Sequence, residues 1–183
     1  MQRGAKEMKL KGILENAIKE TENKFIKSPG IFLSESDMRC HLFNSLYKNV
    51  GLSKEKKSKD GKTSIDLHTE IRWYGNGSRR LLSDIVVVDA KDLVTTESAT
   101  LKLPSKGYRF NLFHAIIELK LRRGRSDKRL LDEIKRDINK IKIVRDEVQE
   151  SFLSYIIVFD KKKNIENLMP NQTGIKIIYA YSG

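Results

Sequence analysis

Three charged residues interrupt two apolar runs of this sequence. Asp84 lies in the run 81–89, and Glu118 and Lys120 lie in the run 113–121, in the order Glu-Leu-Lys. Both runs are short and rich in β-branched residues, which is typical of buried strands. An unpaired charge inside such a strand costs more free energy than its packing returns, so these side chains require an explanation.

These residue types are suited to metal-assisted hydrolysis. Glu118 and Lys120 are two residues apart, so in a strand both side chains project from the same face. Asp84 can join them if its strand pairs with theirs. Two carboxylates with room for water suit Mg²⁺, because this hard ion keeps much of its hydration. The ion would activate a water and neutralise a phosphate, and Lys120 would orient or deprotonate the water or stabilise the developing negative charge.

The hydrophobic pattern predicts the elements that must hold these residues. Apolar residues recur at helical spacing in three segments, 6–27, 34–47 and 127–148. Short apolar or alternating runs predict strands at 64–74, 81–88, 113–121, 152–159 and 175–181. We therefore expect one α/β domain over residues 1–183, with a mixed central sheet flanked by helices and an N-terminal helix, residues 1–30, appended to the core.

The remaining segments carry local signals. Ser34 is expected to cap the second helix together with Asp37, which places Glu35 in the first helical turn. The lysine-rich segment 51–63 predicts an exposed, mobile loop, and segment 89–111 predicts a long connection or an extra hairpin.

Composition favours a polyanionic partner. The chain has 36 Lys and Arg against 24 Asp and Glu, a net charge of +12, and nucleic acid is the first candidate. Cys40 is the only cysteine, which excludes an internal disulfide and a multi-cysteine zinc site, and we expect its side chain to be buried. No run of about 18 apolar residues is present, so we expect a cytoplasmic protein without a membrane partner.

The motif and the predicted element order resemble a known family. Asp84, a 33-residue spacer and Glu118-Leu119-Lys120, set in the order helix, three strands, helix, strand, resemble the PD-(D/E)xK nuclease superfamily. The resemblance covers residues 34–181, with Ser83 where the family name has proline. It implies the restriction-endonuclease-like αβββαβ core, with Asp84 and Glu118 as ligands of Mg²⁺ or Mn²⁺ and Lys120 assisting phosphodiester hydrolysis.

Two glutamates compete for a further place in this site. Many members of the superfamily add a glutamate from the helix before the sheet, and Glu35 occupies that position. Glu70, on a predicted polar strand face, could supply the carboxylate instead. The alternative to the whole site is an ion pair between Asp84 and Lys120 at the sheet edge, with Glu118 solvated.

Basic residues on both sides of the motif could hold phosphates beside the scissile bond. The predicted nucleic-acid contacts are Arg79, Arg80, Arg122, Arg123, Arg125 and Lys128, followed by Arg129. The alternative interpretation of these basic residues is a solvated turn without a nucleic-acid contact. We thus predict a metal-dependent endonuclease, with DNA favoured over RNA, and a homodimer is a natural arrangement for cutting both strands. The rivals are a non-catalytic nucleic-acid-binding or assembly module of the same fold and a regulator that binds an acidic protein.

Overall fold

The computed structural model describes residues 2–74, 80–93, 107–109, 113–148 and 151–183. The helices are α1 (Gln2–Lys27), α2 (Glu35–Tyr47), α3 (Val50–Ser53) and α4 (Asp127–Val148). The strands are β1 (Lys56–Lys57), β2 (Thr63–Ser64), β3 (Leu67–Tyr74), β4 (Arg80–Val88), β5 (Gly107–Arg109), β6 (Phe113–Arg122), β7 (Leu153–Asp160) and β8 (Lys176–Tyr181). The predicted α/β class, the three helices and the five strands are confirmed, with boundaries shifted by a few residues. Within the described ranges, no helix has the length and apolarity needed to cross a membrane.

The strands of the main sheet follow the order β5-β3-β4-β6-β7-β8. β3, β4 and β6 are antiparallel neighbours, whereas β7 and β8 continue the sheet parallel to β6. α4 provides the crossover that the parallel pair β6 and β7 requires. β5 lies in the segment predicted as a connection or an extra hairpin, and it pairs in parallel with β3 at the sheet edge.

The sheet carries a hydrophobic core on each face. α1 and α2 cover one face, and α4 covers the other. Residues of β6 alternate between these cores, with Ile117 and Leu119 towards α1 and α2 and Ile116 towards α4. Glu118 and Lys120 therefore share the face that α4 covers, which confirms the predicted strand alternation.

α2 begins as predicted. The Asp37 backbone N–H donates to Ser34 Oγ over 3.1 Å, and the Ser34 N–H donates to the Asp37 carboxylate over 2.9 Å, which forms a capping box. Met38 and Leu42 are buried on the inner side of this helix. Cys40 lies between them and is exposed, so the expectation of a buried cysteine is wrong.

The segment 51–63 contains more regular secondary structure than predicted. It contains the end of α3 and the hairpin formed by β1 and β2, and the Leu52 and Ser58 side chains are buried. Gly61 has φ of +78°, a conformation that glycine adopts without strain, and it allows the chain to turn between the two strands. Lys56 of β1 pairs with the buried carboxylate of Asp66, which fixes the hairpin to the domain. The prediction of a loop is therefore wrong for the hairpin, whereas most residues of the segment are exposed as predicted.

The predicted strand 64–74 is interrupted at Glu70. Its φ is +53°, which is uncommon for a residue with a side chain, and the pairing of β3 with β4 skips this residue. Leu67, before the break, joins the core under α1 and α2, whereas Ile71, after it, joins the core under α4. The continuous alternation predicted for this strand therefore fails at Glu70.

Candidate active site

The candidate site lies where the pairing of β4 with β6 ends. The last paired residues at this end are Ile85 and Ile117, directly adjacent in sequence to Asp84 and Glu118. β6 remains paired with β7 beyond this point. One side of β6 is therefore open to side chains, and the two carboxylates predicted to act together lie at the opening.

At this end of β6, two carboxylates accept the hydrogen bonds that a neighbouring strand would otherwise accept. The Leu119 N–H donates to Asp84 Oδ2 over 2.8 Å, and the Leu121 N–H donates to Glu35 Oε1 over 3.3 Å. Asp84 comes from β4 and Glu35 from the first turn of α2, so the sheet and the helix converge on the same stretch of β6. The structure thus brings Glu35 to the strand that carries the Glu-Leu-Lys motif.

Glu118 is the most deeply buried acid of the site. Its exposed fraction is 1%, Lys140 Nζ donates to its Oε2 over 2.5 Å, and its Oε1 has no hydrogen-bond partner among the described residues. Burial, reinforced by the charges of Asp137 and Asp84 and opposed by Lys140, raises the pKa of Glu118 to about 8. A buried carboxylate oxygen without a partner is costly in a structural role, and a perturbed pKa of this kind marks a candidate functional group.

Lys120 is held by a residue of α4. Its Nζ lies 2.5 Å from Asp137 Oδ2 and donates to the Leu119 carbonyl over 3.1 Å. Burial alone would lower the pKa of Lys120, but the Asp137 carboxylate, with Glu118 and Asp84, more than offsets it, and the pKa is raised. Lys120 therefore keeps its positive charge at neutral pH, which suits stabilisation of negative charge better than abstraction of a proton.

Sequence analysis did not identify Asp137 and Lys140. Asp137 Oδ1 lies 3.2 Å from Lys140 Nζ, and Lys140 also donates to the Leu82 carbonyl over 2.8 Å. A signal was present, because Asp137 lies three residues after Ile134 and four before Ile141, both of which face the core. A charge at that spacing lies on the buried face of an amphipathic helix.

Arg39 is the third residue of the candidate site that sequence analysis missed. Its guanidinium lies 2.8 Å from Glu70 Oε1 and 3.4 Å from Asp84 Oδ1, and its Nε is buried without a hydrogen-bond partner in the described structure. Arg39 thus links Glu70 to Asp84, whereas Glu35 contacts β6 directly. Arg39 follows Glu35 by four residues, a spacing that places both on one side of α2.

The site offers two carboxylates to a metal ion. Within the described residues, no group of three or more His, Cys, Asp or Glu side chains is arranged to hold a metal. Mg²⁺ needs only one or two protein carboxylates when water fills the remaining positions. Asp84 beside Glu118, with the unpartnered Oε1 of Glu118, fits that requirement, although Lys140 and Arg39 already contact these acids.

The predicted nucleic-acid contacts have different surroundings. Arg79 lies outside the described residues, and of Arg80 only the backbone, at the start of β4, is described. Arg123 and Lys128 are exposed near the carboxyl end of β6, and Arg129 is exposed and pairs with Glu133. Arg125 binds Glu133 and lies 3.2 Å from Glu35 Oε1, so it borders the candidate site.

Arg122 differs from the other predicted contacts because it is fully buried. Its guanidinium pairs with Asp160 and Asp127 and donates to the Lys163 carbonyl over 2.9 Å. A guanidinium enclosed in this way cannot reach a phosphate. We therefore assign Arg122 to the fold and leave it out of the basic surface.

The raised pKa of Glu118 predicts a pH dependence of stability. Between its ordinary pKa of 4.5 and its folded value of about 8, the folded protein holds a proton that the unfolded chain releases. This contribution to stability is complete below about pH 4.5 and is lost as pH rises to about 8. In urea unfolding with EDTA, the wild type should lose on the order of 3 kcal/mol more between pH 5.5 and 8.5 than Glu118→Gln. Equal losses in the two proteins would contradict the shift.

No relative adds to this description. Comparisons with protein-family models, curated proteins and solved structures found no match for this chain. The residues of the site are therefore the basis for assigning a function, since chemistry resides in a site and not in a fold.

Proposed function

We propose that this chain is a Mg²⁺- or Mn²⁺-dependent nuclease that hydrolyses phosphodiester bonds, with DNA as the favoured substrate. The observation that carries the proposal is the buried Glu118, with one unpartnered oxygen, beside Asp84 and the charged Lys120 where the β4–β6 pairing ends. The proposal includes the αβββαβ core of the PD-(D/E)xK superfamily. It is supported by the order α2, β3, β4, β6, α4, β7 and by the parallel pairing of the last two strands.

The roles follow from the contacts of each side chain. Asp84 and Glu118 would hold the ion, which when bound activates a water and neutralises the phosphate. The Lys120 ammonium, kept charged by Asp137, would donate to the oxygen on which negative charge develops. Glu35 is the preferred further acid, because it contacts β6 directly, and Glu70 is the alternative.

The substrate class follows from charge. The net charge of +12 favours binding to a phosphate backbone, and the exposed Arg123 and Lys128 lie at the same end of β6 as the site. Arg125 lies nearer, but Glu35 and Glu133 already bind it. We therefore propose that Arg123 and Lys128 contact phosphates beside the scissile bond, with Arg125 as the less favoured contact.

A second candidate function is a nucleic-acid-binding or assembly module that does not cut. It is favoured by the contacts of the site, because Lys140 binds Glu118 and Arg39 pairs with Asp84, so both acids already have basic partners. Such a protein would still bind DNA with a steep salt dependence, since that dependence arises from the phosphate contacts alone.

The two functions are separated by cleavage and metal binding. Plasmid, linear duplex, single-stranded DNA and RNA are incubated with the wild type in Mg²⁺, in Mn²⁺ and in EDTA, and Mn²⁺ is titrated by calorimetry. The nuclease should cleave DNA only with metal and should bind Mn²⁺ more weakly after Glu118→Gln. DNA binding without cleavage, together with Mn²⁺ binding that Glu118→Gln leaves unchanged, would support the binding module and overturn the nuclease.

A further inference from the structure

We infer that Asp137 on α4 is a positioning residue of the active site, which holds the ammonium group of Lys120 away from Glu118. This inference rests on the proposed nuclease function. It extends the site from the strand motif to the helix that covers it, and it gives α4 a role in addition to its role in the crossover.

Four titratable side chains form one continuous chain of contacts. Lys120 contacts Asp137, Asp137 contacts Lys140, and Lys140 contacts Glu118, over 2.5, 3.2 and 2.5 Å. Glu118 and Lys120 are an acid and a base on the same face of β6, so a direct hydrogen bond between them is the simplest arrangement. Each binds a residue of α4 instead.

The position of Asp137 argues for function over stability. Its neighbours on the inner side of α4 are Ile134, Ile138 and Ile141, and Asp137 itself is 8% exposed. Replacing a buried ion network by apolar residues of similar size is often neutral or stabilising. An isoleucine at this position would therefore serve the core as well, and the carboxylate requires a further reason.

That reason is the separation of Lys120 from Glu118. With Asp137 present, the Lys120 ammonium pairs with a carboxylate of α4, and it makes no hydrogen bond with Glu118 Oε1. Without the carboxylate, the strongest remaining attraction on Lys120 from an acid is that of Glu118 on its own strand. The Lys120 ammonium would then move from its position beside Asp137 and donate to Glu118 Oε1, the oxygen that a metal needs. The rate of cleavage would fall, because small displacements of a catalytic group reduce rates strongly.

The test combines cleavage kinetics with nuclear magnetic resonance of the lysine ammonium groups. Asp137→Asn keeps the shape and removes the charge, Asp137→Glu keeps the charge, and Asp146→Asn is an exposed control on the same helix. Asp137→Asn should lower kcat about 100-fold with KM for DNA nearly unchanged, and it should weaken Mn²⁺ binding. The kcat of Asp137→Glu should be at least about tenfold higher than that of Asp137→Asn, which a purely structural defect would not predict.

Nuclear magnetic resonance of the lysine Nζ groups separates this inference from the nuclease proposal. The Lys120 ammonium signal should shift or broaden in Asp137→Asn and stay unchanged in Asp146→Asn. If the wild type cleaves nothing but the signal responds as expected, the nuclease function fails while Asp137 still positions Lys120. An unchanged signal, or a kcat that Asp137→Asn leaves intact in an active wild type, would overturn the inference.

Discussion

Replacing Lys120 with methionine or Asp84 with asparagine is expected to lower kcat for DNA cleavage by about 100- to 1,000-fold, the usual effect of removing one stabiliser of transition-state charge. Lys120→Met keeps the aliphatic stem and removes the ammonium, and the buried Asp137 carboxylate keeps its ion pair with Lys140 over 3.2 Å. In Asp84→Asn the amide oxygen can still accept the hydrogen bond from the Leu119 N–H, so the end of β6 keeps its contact. The losses should therefore come from chemistry and not from unfolding.

Single-turnover cleavage in Mn²⁺ with excess enzyme measures this effect. Lys176→Met, on the edge strand β8, and Asp92→Asn, in an exposed turn, remove the same charges away from the site and should retain activity. The double variant Asp84→Asn with Lys120→Met should lose less than the product of the single losses, because residues of one site act as a unit. Undiminished cleavage by either single variant would reject the assignment of the site.

Replacing Arg122 with methionine is expected to cost about 3 to 5 kcal/mol of unfolding free energy, as is typical when one partner of a buried ion pair is removed. Arg122 and Asp160 are both 0% exposed and face each other at the carboxyl ends of β6 and β7. Asp160 also accepts hydrogen bonds from Tyr179 Oη and the Lys162 N–H, but these partners are neutral. Its charge would therefore remain buried and uncompensated.

Urea unfolding of the variant and the wild type measures this loss. Arg123→Met is the matched control, because the adjacent side chain is exposed and should change stability by no more than about 0.5 kcal/mol. Combining Arg122→Met with Asp160→Asn should recover part of the loss, since the second change removes the stranded charge. A loss below about 1 kcal/mol in Arg122→Met would contradict the structural assignment of Arg122.

The parts of the site that sequence could predict depend on local geometry. The spacing of Glu118 and Lys120 determines that they share a face, because alternation is a property of any strand. The capping box of Ser34 and Asp37 likewise places Glu35 in the first turn of α2. These predictions needed only residues close in sequence, and the structure places all three side chains beside β6.

The parts that sequence could not predict depend on pairing across the fold. Arg122 belongs to a basic turn in sequence, but its surroundings are decided by Asp160 on the next parallel strand. Asp137 reaches Lys120 only because α4 lies over the strand that precedes it. The break at Glu70 has no sequence signal, since a positive φ is expected of glycine and not of glutamate.

The open side of β6 has a consequence for solubility. Unpaired N–H groups on a strand are a template on which a strand of another molecule can add, and proteins avoid leaving them exposed. The carboxylates of Asp84 and Glu35 bind the N–H groups of Leu119 and Leu121 at this opening. The acids of the candidate site should therefore also protect β6 from intermolecular strand addition and aggregation.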